Sequence, residues 1–158
     1  MTFINQQIRK ISNDTTTPDY QTTTSTYQYL SGSRVTYTPE NNSTFVYYQF
    51  FFQQTTANTD DNLMHMKLVS GSSVSDIDSS PNDVDGSYAN IGDNYIYSRK
   101  TCLYRKLIPS WQGEKVIQIN FRHANSNYIS DLHRIDAWDG STGLTNNCNN
   151  FVLVSSIF

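Results

Sequence analysis

The chain has 158 residues, a net charge of −3 and only 16% charged residues. This length accommodates one domain with a hydrophobic core, and the weakly negative charge does not favour binding to nucleic acid or to anionic membranes. No apolar run reaches the length of a membrane span, and residues 1–10 lack the apolar core of a signal peptide. Ser, Thr, Asn, Gln and Tyr supply the polar surface instead, which is typical of proteins displayed outside cells or on a particle.

The first 25 residues are interpreted as an N-terminal arm. Phe3, Ile4 and Ile8 are apolar at close to helical spacing, and a Thr-rich stretch follows over residues 13–26. Because that stretch has little apolar surface to bury, the arm is predicted to be extended or to form a short helix. Since the three apolar side chains need a partner, we expect the arm to dock on a neighbouring subunit; the alternative is a frayed terminus.

The densest aromatic and β-branched stretch, residues 35–53, predicts two strands joined by a polar turn. Side chains alternate across a strand, and one face of the second strand is predicted to face the core through Val46, Tyr48, Phe50 and Phe52. The opposite face mixes aromatic residues with Gln and includes Tyr47 and Phe51. We interpret this second face either as a partly covered outer face or as an oligomer contact.

The rest of the chain predicts further strands separated by polar turns. These strands cover residues 63–69, 94–98, 101–108, 115–122, 131–138 and 151–158. Little strand is expected in the long polar region 75–94. The strand at 115–122 has the cleanest alternation, with Ile117, Ile119 and Phe121 predicted to point inward and Gln118, Asn120 and Arg122 to point outward.

Many short strands without a long helix predict an all-β fold. We expect an antiparallel β-sandwich of jelly-roll type over residues 26–158, with an up-and-down barrel as the alternative architecture. Cys102 and Cys148 have no metal-type spacing. They are interpreted either as two thiols in or near the core or as a single disulfide.

Signatures of catalysis and metal binding are sparse. The only glutamates, Glu40 and Glu114, lie in predicted turns, so a facing pair of catalytic carboxylates is not predicted. The histidines share no ligand spacing, and no phosphate loop, dinucleotide fingerprint or nucleophile motif occurs. We therefore predict a protein that is not an enzyme and has no cofactor. The acidic segment Asp76–Gly86 is interpreted as a solvated turn, with a calcium site as the alternative.

Two tryptophans are candidates for stacking on sugar rings, as in a lectin. These are Trp111 and Trp138, and loops 75–94 and 139–150 would then form the receptor face. The alternative is that both side chains belong to the core or to an interface.

Several segments of the chain share a pattern with a known group of proteins. The run Val35–Pro39 precedes a short polar turn and Phe45–Tyr47, Leu132–Arg134 leads into Trp138–Gly140, and an apolar strand closes the chain. Over residues 26–158 this pattern resembles the small β-sandwich domains of tail-fibre and virion-surface proteins of marine bacteriophages, in particular cyanophages.

The resemblance implies a virion component with trimeric or similar symmetry and no enzymatic role. We expect a capsid decoration or cement protein, or a fibre or appendage subunit, assembled in the host cytoplasm. Its expected partners are further copies of itself, as a homotrimer, and virion proteins such as the major capsid protein. The expected contact residues are Phe3, Ile4, Ile8, Tyr47 and Phe51.

Two other functions stay open. The first is a carbohydrate-binding adsorption module of a tail fibre, which would bind a host surface glycan through Trp111 and Trp138. The second is a small hydrolase that acts on envelope polysaccharide.

Overall fold

The structure is a computed structural model. It describes residues 3–10, 21–22, 25–56, 62–79, 82–91, 99–123, 130–132 and 151–158, with side-chain environments for 25–52, 68–77, 102–122 and 151–158. The described residues form two antiparallel sheets and one short helix, so the predicted all-β sandwich is confirmed. The described strands form no closed barrel.

The first sheet is built around β5 (Phe45–Thr56). One side of β5 pairs with β8 (Arg99–Pro109), and the other side pairs with β11 (Phe151–Ile157), which in turn pairs with β1 (Phe3–Lys10). Two short strands, β2 (Gln21–Thr22) and β10 (Ser130–Leu132), extend the sheet at the far end of β5. Every one of these pairings is antiparallel.

The second sheet is built around β9 (Lys115–His123). One side of β9 pairs with β6 (Asn62–Gly71), which pairs with β7 (Asn82–Ile91), and helix α1 (Val74–Ser79) connects β6 to β7. The other side of β9 pairs first with β4 (Val35–Tyr37) and then with β3 (Gln28–Tyr29). Because β3 and β4 pair with successive parts of β9, they form a single interrupted edge.

The hydrophobic core lies between the two sheets. The first sheet contributes Val46, Tyr48, Phe50, Phe52, Tyr104, Ile108, Val152 and Val154, and the second contributes Leu30, Val35, Tyr37, Leu68, Ile117, Ile119 and Phe121. The inward faces predicted for β5 and β9 are therefore confirmed. Two buried tyrosines also join the sheets: Tyr37 OH lies 2.8 Å from Ser156 Oγ, and Tyr48 OH donates to Ser33 O at 2.5 Å.

The outward-pointing face of β9 is buried, unlike the outer face of a strand that is exposed to solvent. Gln118 is fully buried and Asn120 is only 8% exposed, although both point away from the core as predicted. At one end of this face, Val116 packs against Val69 of β6 and Ile77 of α1. Further along β9, Arg34 bonds to Gln118. Gln118 and Asn120 therefore follow the alternation expected of exposed residues, yet they are buried. Contacts with segments that are distant in the sequence make the difference.

The prediction of little strand over residues 75–94 is wrong, because this region contains the ten-residue strand β7. Its Asp, Gly and Ser content indicates a low strand propensity, but pairing with β6 along its length supplies the stabilising contacts. At the N-terminus, residues 3–10 adopt the extended one of the two predicted forms, as β1. The boundary of the arm at residue 25 and its docking on a neighbour stay predictions.

Candidate functional site

No metal centre is built from the part of the chain that the structure describes, where no group of three or more His, Cys, Asp or Glu side chains meets. The acidic segment is divided between a helix and a strand, with Asp76 in α1 and Gly86 in β7. Asp76 is exposed, and hydrogen bonds from Ser72 and then Ser73 lower its pKa. Its carboxylate is therefore held by the two serines that immediately precede α1.

The same described residues contain no helix with the length and apolar character needed to cross a bilayer. Cys102 is partly buried beside the core. Cys148 lies outside the described residues, as do His133 and Trp138. A disulfide between the two cysteines and a glycan contact at Trp138 stay predictions.

Trp111 packs against the edge of the core. Its ring meets Tyr37 edge-on with the centroids 6.2 Å apart, and the Lys115 ammonium lies 5.7 Å from the indole centroid. The buried indole Nε1 finds no acceptor among the described residues. The protein's own side chains thus contact this ring from two directions, and its role as a glycan contact stays a prediction.

An apolar surface lies on the outside of the first sheet, where β8, β5 and β11 run side by side. We call it the apolar face and define it by Phe45, Tyr47, Phe51, Leu103, Leu107, Phe151 and Leu153. Its most exposed members are Phe45 at 37%, Leu103 at 42% and Leu107 at 44%. The face is contiguous, because the register places Leu107 opposite Tyr47 and Leu103 opposite Phe51, and Phe51 stacks on Phe151 with centroids 5.2 Å apart.

A single charged residue lies among the outward positions of Phe45–Phe51 and of their register partners on β8 and β11. Arg105 is exposed between Leu103 and Leu107 on β8 and pairs in register with Gln49. The Gln49 side chain is held in place, because Tyr47 OH donates to its Oε1 at 2.9 Å. The face therefore combines an apolar area with one cation near its centre.

The structure brings together two of the five predicted contact residues. Tyr47 and Phe51 lie half-buried on the apolar face. Phe3, Ile4 and Ile8 are in β1, one strand beyond β11, where Ile8 is opposite Leu153. Sequence reasoning missed Leu103 and Leu107, because only the pairing of β8 with β5 places them beside the aromatic residues.

A polar row lies on the outer face of the second sheet, along the β3–β4 edge. The register pairs Tyr29 with Asn120 and Val35 with Ile117, which places Tyr27 beside Arg122 and Arg34 beside Gln118. We call the six side chains the edge row: Tyr27, Tyr29, Arg34, Gln118, Asn120 and Arg122.

Hydrogen bonds and ring contacts hold the edge row together. Arg34 Nε donates to Gln118 Oε1 at 2.7 Å, and Gln118 Nε2 donates to Asn120 Oδ1 at 2.7 Å. The Arg34 guanidinium lies 4.4 Å from the Tyr29 ring centroid, and the Arg122 guanidinium lies 5.0 Å from that of Tyr27. Both distances are within the range of a cation–π interaction.

Sequence reasoning interpreted the β9 members of the edge row only as outward-pointing polar residues. The sequence feature that could have indicated the edge row is the polar series Gln118, Asn120 and Arg122, at every second position of one strand. The tyrosines and Arg34 join them through pairing between segments about 90 residues apart, which no local pattern encodes.

Comparison with known protein families and with curated proteins finds no match to this sequence.

Proposed function

We propose that this protein is a structural subunit of a bacteriophage virion, either a capsid decoration or cement protein or an appendage subunit. It acts by binding neighbouring proteins and catalyses no reaction. The observation that carries the proposal is the apolar face, on which Leu103 and Leu107 are each more than 40% exposed beside a stacked aromatic pair. Contiguous exposed apolar patches mark surfaces for association, because covering them removes apolar area from water.

The fold supports this role by holding the apolar face in a fixed shape. The inward side chains of β5, β8 and β11 are buried in one core, so the outward side chains of the same strands keep a regular spacing. The run Val35–Pro39, which resembles segments of virion-surface proteins, includes β4, and Phe45–Tyr47 begins β5. These two segments of the resemblance therefore belong to strands of the sandwich.

We propose a second copy of the chain as the first partner of the apolar face, in a homotrimer. A stable contact buries about 800 Å² on each partner. Three strands over the seven residues from Phe45 to Phe51 span roughly 10 Å by 23 Å, which is smaller than that area. The contact must therefore extend beyond the apolar face, and we expect it to reach β1, which carries the predicted contact residues Phe3, Ile4 and Ile8.

Sedimentation-velocity ultracentrifugation tests the oligomer. We expect the wild-type chain to sediment as a trimer and the double variant Leu103→Glu/Leu107→Glu to sediment as a monomer, because each new carboxylate would lose its hydration in the contact. Thr38→Glu adds a charge at an exposed position away from the apolar face and is expected to keep the wild-type mass. Circular dichroism establishes that all variants are folded.

Co-sedimentation with purified virions that have been stripped of this subunit tests the virion assignment. We expect the wild-type chain and Thr38→Glu to pellet with the particles, whereas the double leucine variant stays in the supernatant. A wild-type chain that is a clean monomer and does not pellet would contradict the proposal.

A second candidate function, a carbohydrate-binding adsorption module, is favoured by the edge row. Aromatic rings combined with a few placed amide and guanidinium donors are typical of ligand sites, and Tyr27 is 41% exposed within the row. A glycan array distinguishes the two possible locations. Specific hits that disappear in Tyr27→Ala would place the site at the edge row, whereas hits that disappear in Trp138→Ala would place it at the predicted tryptophan.

A further inference from the structure

The hydrogen bonds of the edge row determine how its two amides are oriented. Gln118 Oε1 accepts from Arg34, so the Gln118 amide nitrogen is the group that donates to Asn120 Oδ1. With its oxygen used as an acceptor, Asn120 retains its Nδ2 as a donor. The row therefore offers a further N–H donor next to Arg122 on β9.

Arg122 is a cation without an anionic partner in the described part of the chain. Its guanidinium lies over Tyr27, and its buried Nε has no hydrogen-bond acceptor there. A guanidinium presents five N–H donors in a planar fork that matches a carboxylate. Because the guanidinium is partly buried beside Tyr27, a carboxylate bound to its outer N–H groups would gain more here than at a fully solvated arginine.

The backbone register shows which residue types lie opposite this end of the row on the neighbouring strand. In the β6–β9 register, His65 is opposite Arg122 and Lys67 is opposite Asn120. The positions around Arg122 on β9, β3 and β6 include no Asp or Glu. The edge row itself contains two arginines and no acidic residue, although the whole chain is negative.

Tyr27 supplies the apolar part of the site. Its ring is 41% exposed and lies directly beside the Arg122 guanidinium. A ligand that uses both groups must present a flat apolar face and a carboxylate a few ångströms apart. A pyranose ring that carries a carboxylate has both features, whereas an acidic peptide satisfies the arginine and leaves the tyrosine ring without a matching face.

We propose that the edge row binds an acidic saccharide. The carboxylate of a hexuronic acid residue accepts two hydrogen bonds from the Arg122 guanidinium, a hydroxyl oxygen accepts from Asn120 Nδ2, and the sugar ring packs on Tyr27. Arg34 and Gln118 are positioning residues, which hold Asn120 through the hydrogen-bond chain. The inference rests on the second candidate function and names its ligand class; it does not depend on the assembly role.

Titration calorimetry with trigalacturonate and with its neutral methyl ester tests the proposal. We expect the wild-type chain to bind the acid, and both esterification and Arg122→Gln to weaken binding by about tenfold or more, which corresponds to the loss of one charge-assisted contact. Arg105→Gln removes an exposed arginine from the other sheet and is expected to change the affinity by less than about twofold. Thermal unfolding establishes that each variant is folded.

The tyrosine variants test the ring contact. Tyr27→Phe keeps the ring and should bind like the wild type, whereas Tyr27→Ala should lose binding as Arg122→Gln does. Binding of trigalacturonate that survives in Arg122→Gln would overturn the proposal. So would displacement by polyglutamate or inorganic phosphate at the same concentration, since it would show recognition of the anion alone.

The binding measurements distinguish a failure of the acidic ligand class from a failure of the glycan-binding function on which it rests. Equal binding of the methyl ester, lost in Tyr27→Ala, would overturn the acidic class while supporting a glycan site at the edge row. No binding of either saccharide would overturn both. The double variant Leu103→Glu/Leu107→Glu should bind trigalacturonate with wild-type affinity per chain, which separates the result from any failure of assembly.

Discussion

Ser33 shows how a single buried hydroxyl maintains a sheet where strand pairing is interrupted. Between β3 and β4 the chain turns at residues 31–34, and the backbone of β9 needs another partner there. Ser33 is fully buried, its Oγ donates to Leu30 O at 2.7 Å, and it accepts from Ile119 N at 3.0 Å. The side chain thus satisfies Ile119 N–H, which the interrupted ladder leaves without a strand partner, and adds a second hydrogen bond to Leu30 O, which also accepts from Ser33 N at 3.1 Å.

Replacing this hydroxyl should weaken the fold. We expect Ser33→Ala to lower the free energy of unfolding by about 1–3 kcal/mol, because Ile119 N–H then lies buried without an acceptor. Urea denaturation measures the change. Ser25→Ala at an exposed position should stay within about 0.5 kcal/mol of the wild type, and equal stability of the two variants would contradict the role given to Ser33.

Tyr48 makes stability depend on alkaline pH. Burial raises the pKa of Tyr48 well above its usual range and outweighs the lowering by its hydrogen bond with Ser33. Above about pH 10 the unfolded chain releases this proton while the folded chain keeps it. The unfolded state then binds fewer protons, so this contribution to stability is complete below about pH 10 and is lost as the pH rises further.

The expected outcome is a shallower alkaline decline in Tyr48→Phe. Its free energy of unfolding should fall with pH above about pH 10 less steeply than that of the wild type, by up to about 1.4 kcal/mol per pH unit. At pH 7 the variant should be less stable by about 1 kcal/mol, because it has lost the bond to Ser33 O. Urea titrations from pH 7 to about pH 11 measure both effects; parallel curves would refute this account.

At the scale of elements, α1 lies close against β6 because Gly71 has no side chain. A Cβ at this position would lie 2.9 Å from Ile77 Cγ1 and 3.1 Å from Ser73 O. Ile77 is fully buried and packs with Val69 and Val116. The helix therefore cannot move outward without separating the small hydrophobic cluster that covers this part of the second sheet.

Gly71→Ala should destabilise the protein by about 1–3 kcal/mol through overpacking. In a double-mutant cycle, Ile77→Ala should cost less in the Gly71→Ala background, because it removes the atom that the new Cβ meets. Gly113→Ala is the matched control. Nothing lies within 4 Å of its added Cβ, but its φ of +76° makes alanine strained, so it should destabilise without coupling to Ile77.

At the scale of the whole molecule, the strands nearest the two ends of the chain lie side by side. β1 pairs with β11 from Phe3–Ile157 to Lys10–Phe151, and β11 pairs with the central strand β5. β1 therefore covers an edge of β11 that would otherwise present unpaired backbone groups next to an apolar sequence. Exposed apolar edges of this kind promote aggregation.

Deleting residues 1–11 should make the protein less stable and prone to aggregation. We expect a lower thermal midpoint and increased light scattering on heating, because the deletion exposes the edge of β11. Removing only residues 1–2, which precede β1, should change neither measurement. A truncated chain that unfolds and scatters like the wild type would show that β1 does not protect this edge.

The apolar face and the edge row belong to different sheets, so they lie on opposite outer sides of the sandwich. A neighbouring protein that covers the apolar face would therefore leave the edge row on the opposite side of the sandwich. The two proposed activities are therefore compatible in one molecule, and we expect substitutions that remove one of them to leave the other unchanged.

The sequence by itself determined which side chains share a face. Alternation in Phe45–Phe52 and in Lys115–Arg122 predicts the inward sets of β5 and β9, and the scarcity of long periodic apolar segments predicts an all-β fold. Both predictions are confirmed, because they depend only on the geometry of an extended chain and on the transfer of apolar side chains from water.

Only the tertiary structure decided what covers each outer face. Gln118 and Leu107 both point outward, yet Gln118 is fully buried and Leu107 is 44% exposed. For the same reason, the sequence did not predict the strand β7 or the residues that contact Arg34 and Arg122. Local periodicity reports the side to which a residue points, whereas its exposure depends on which distant segments pack there, and that is decided by the balance of all contacts in the folded chain.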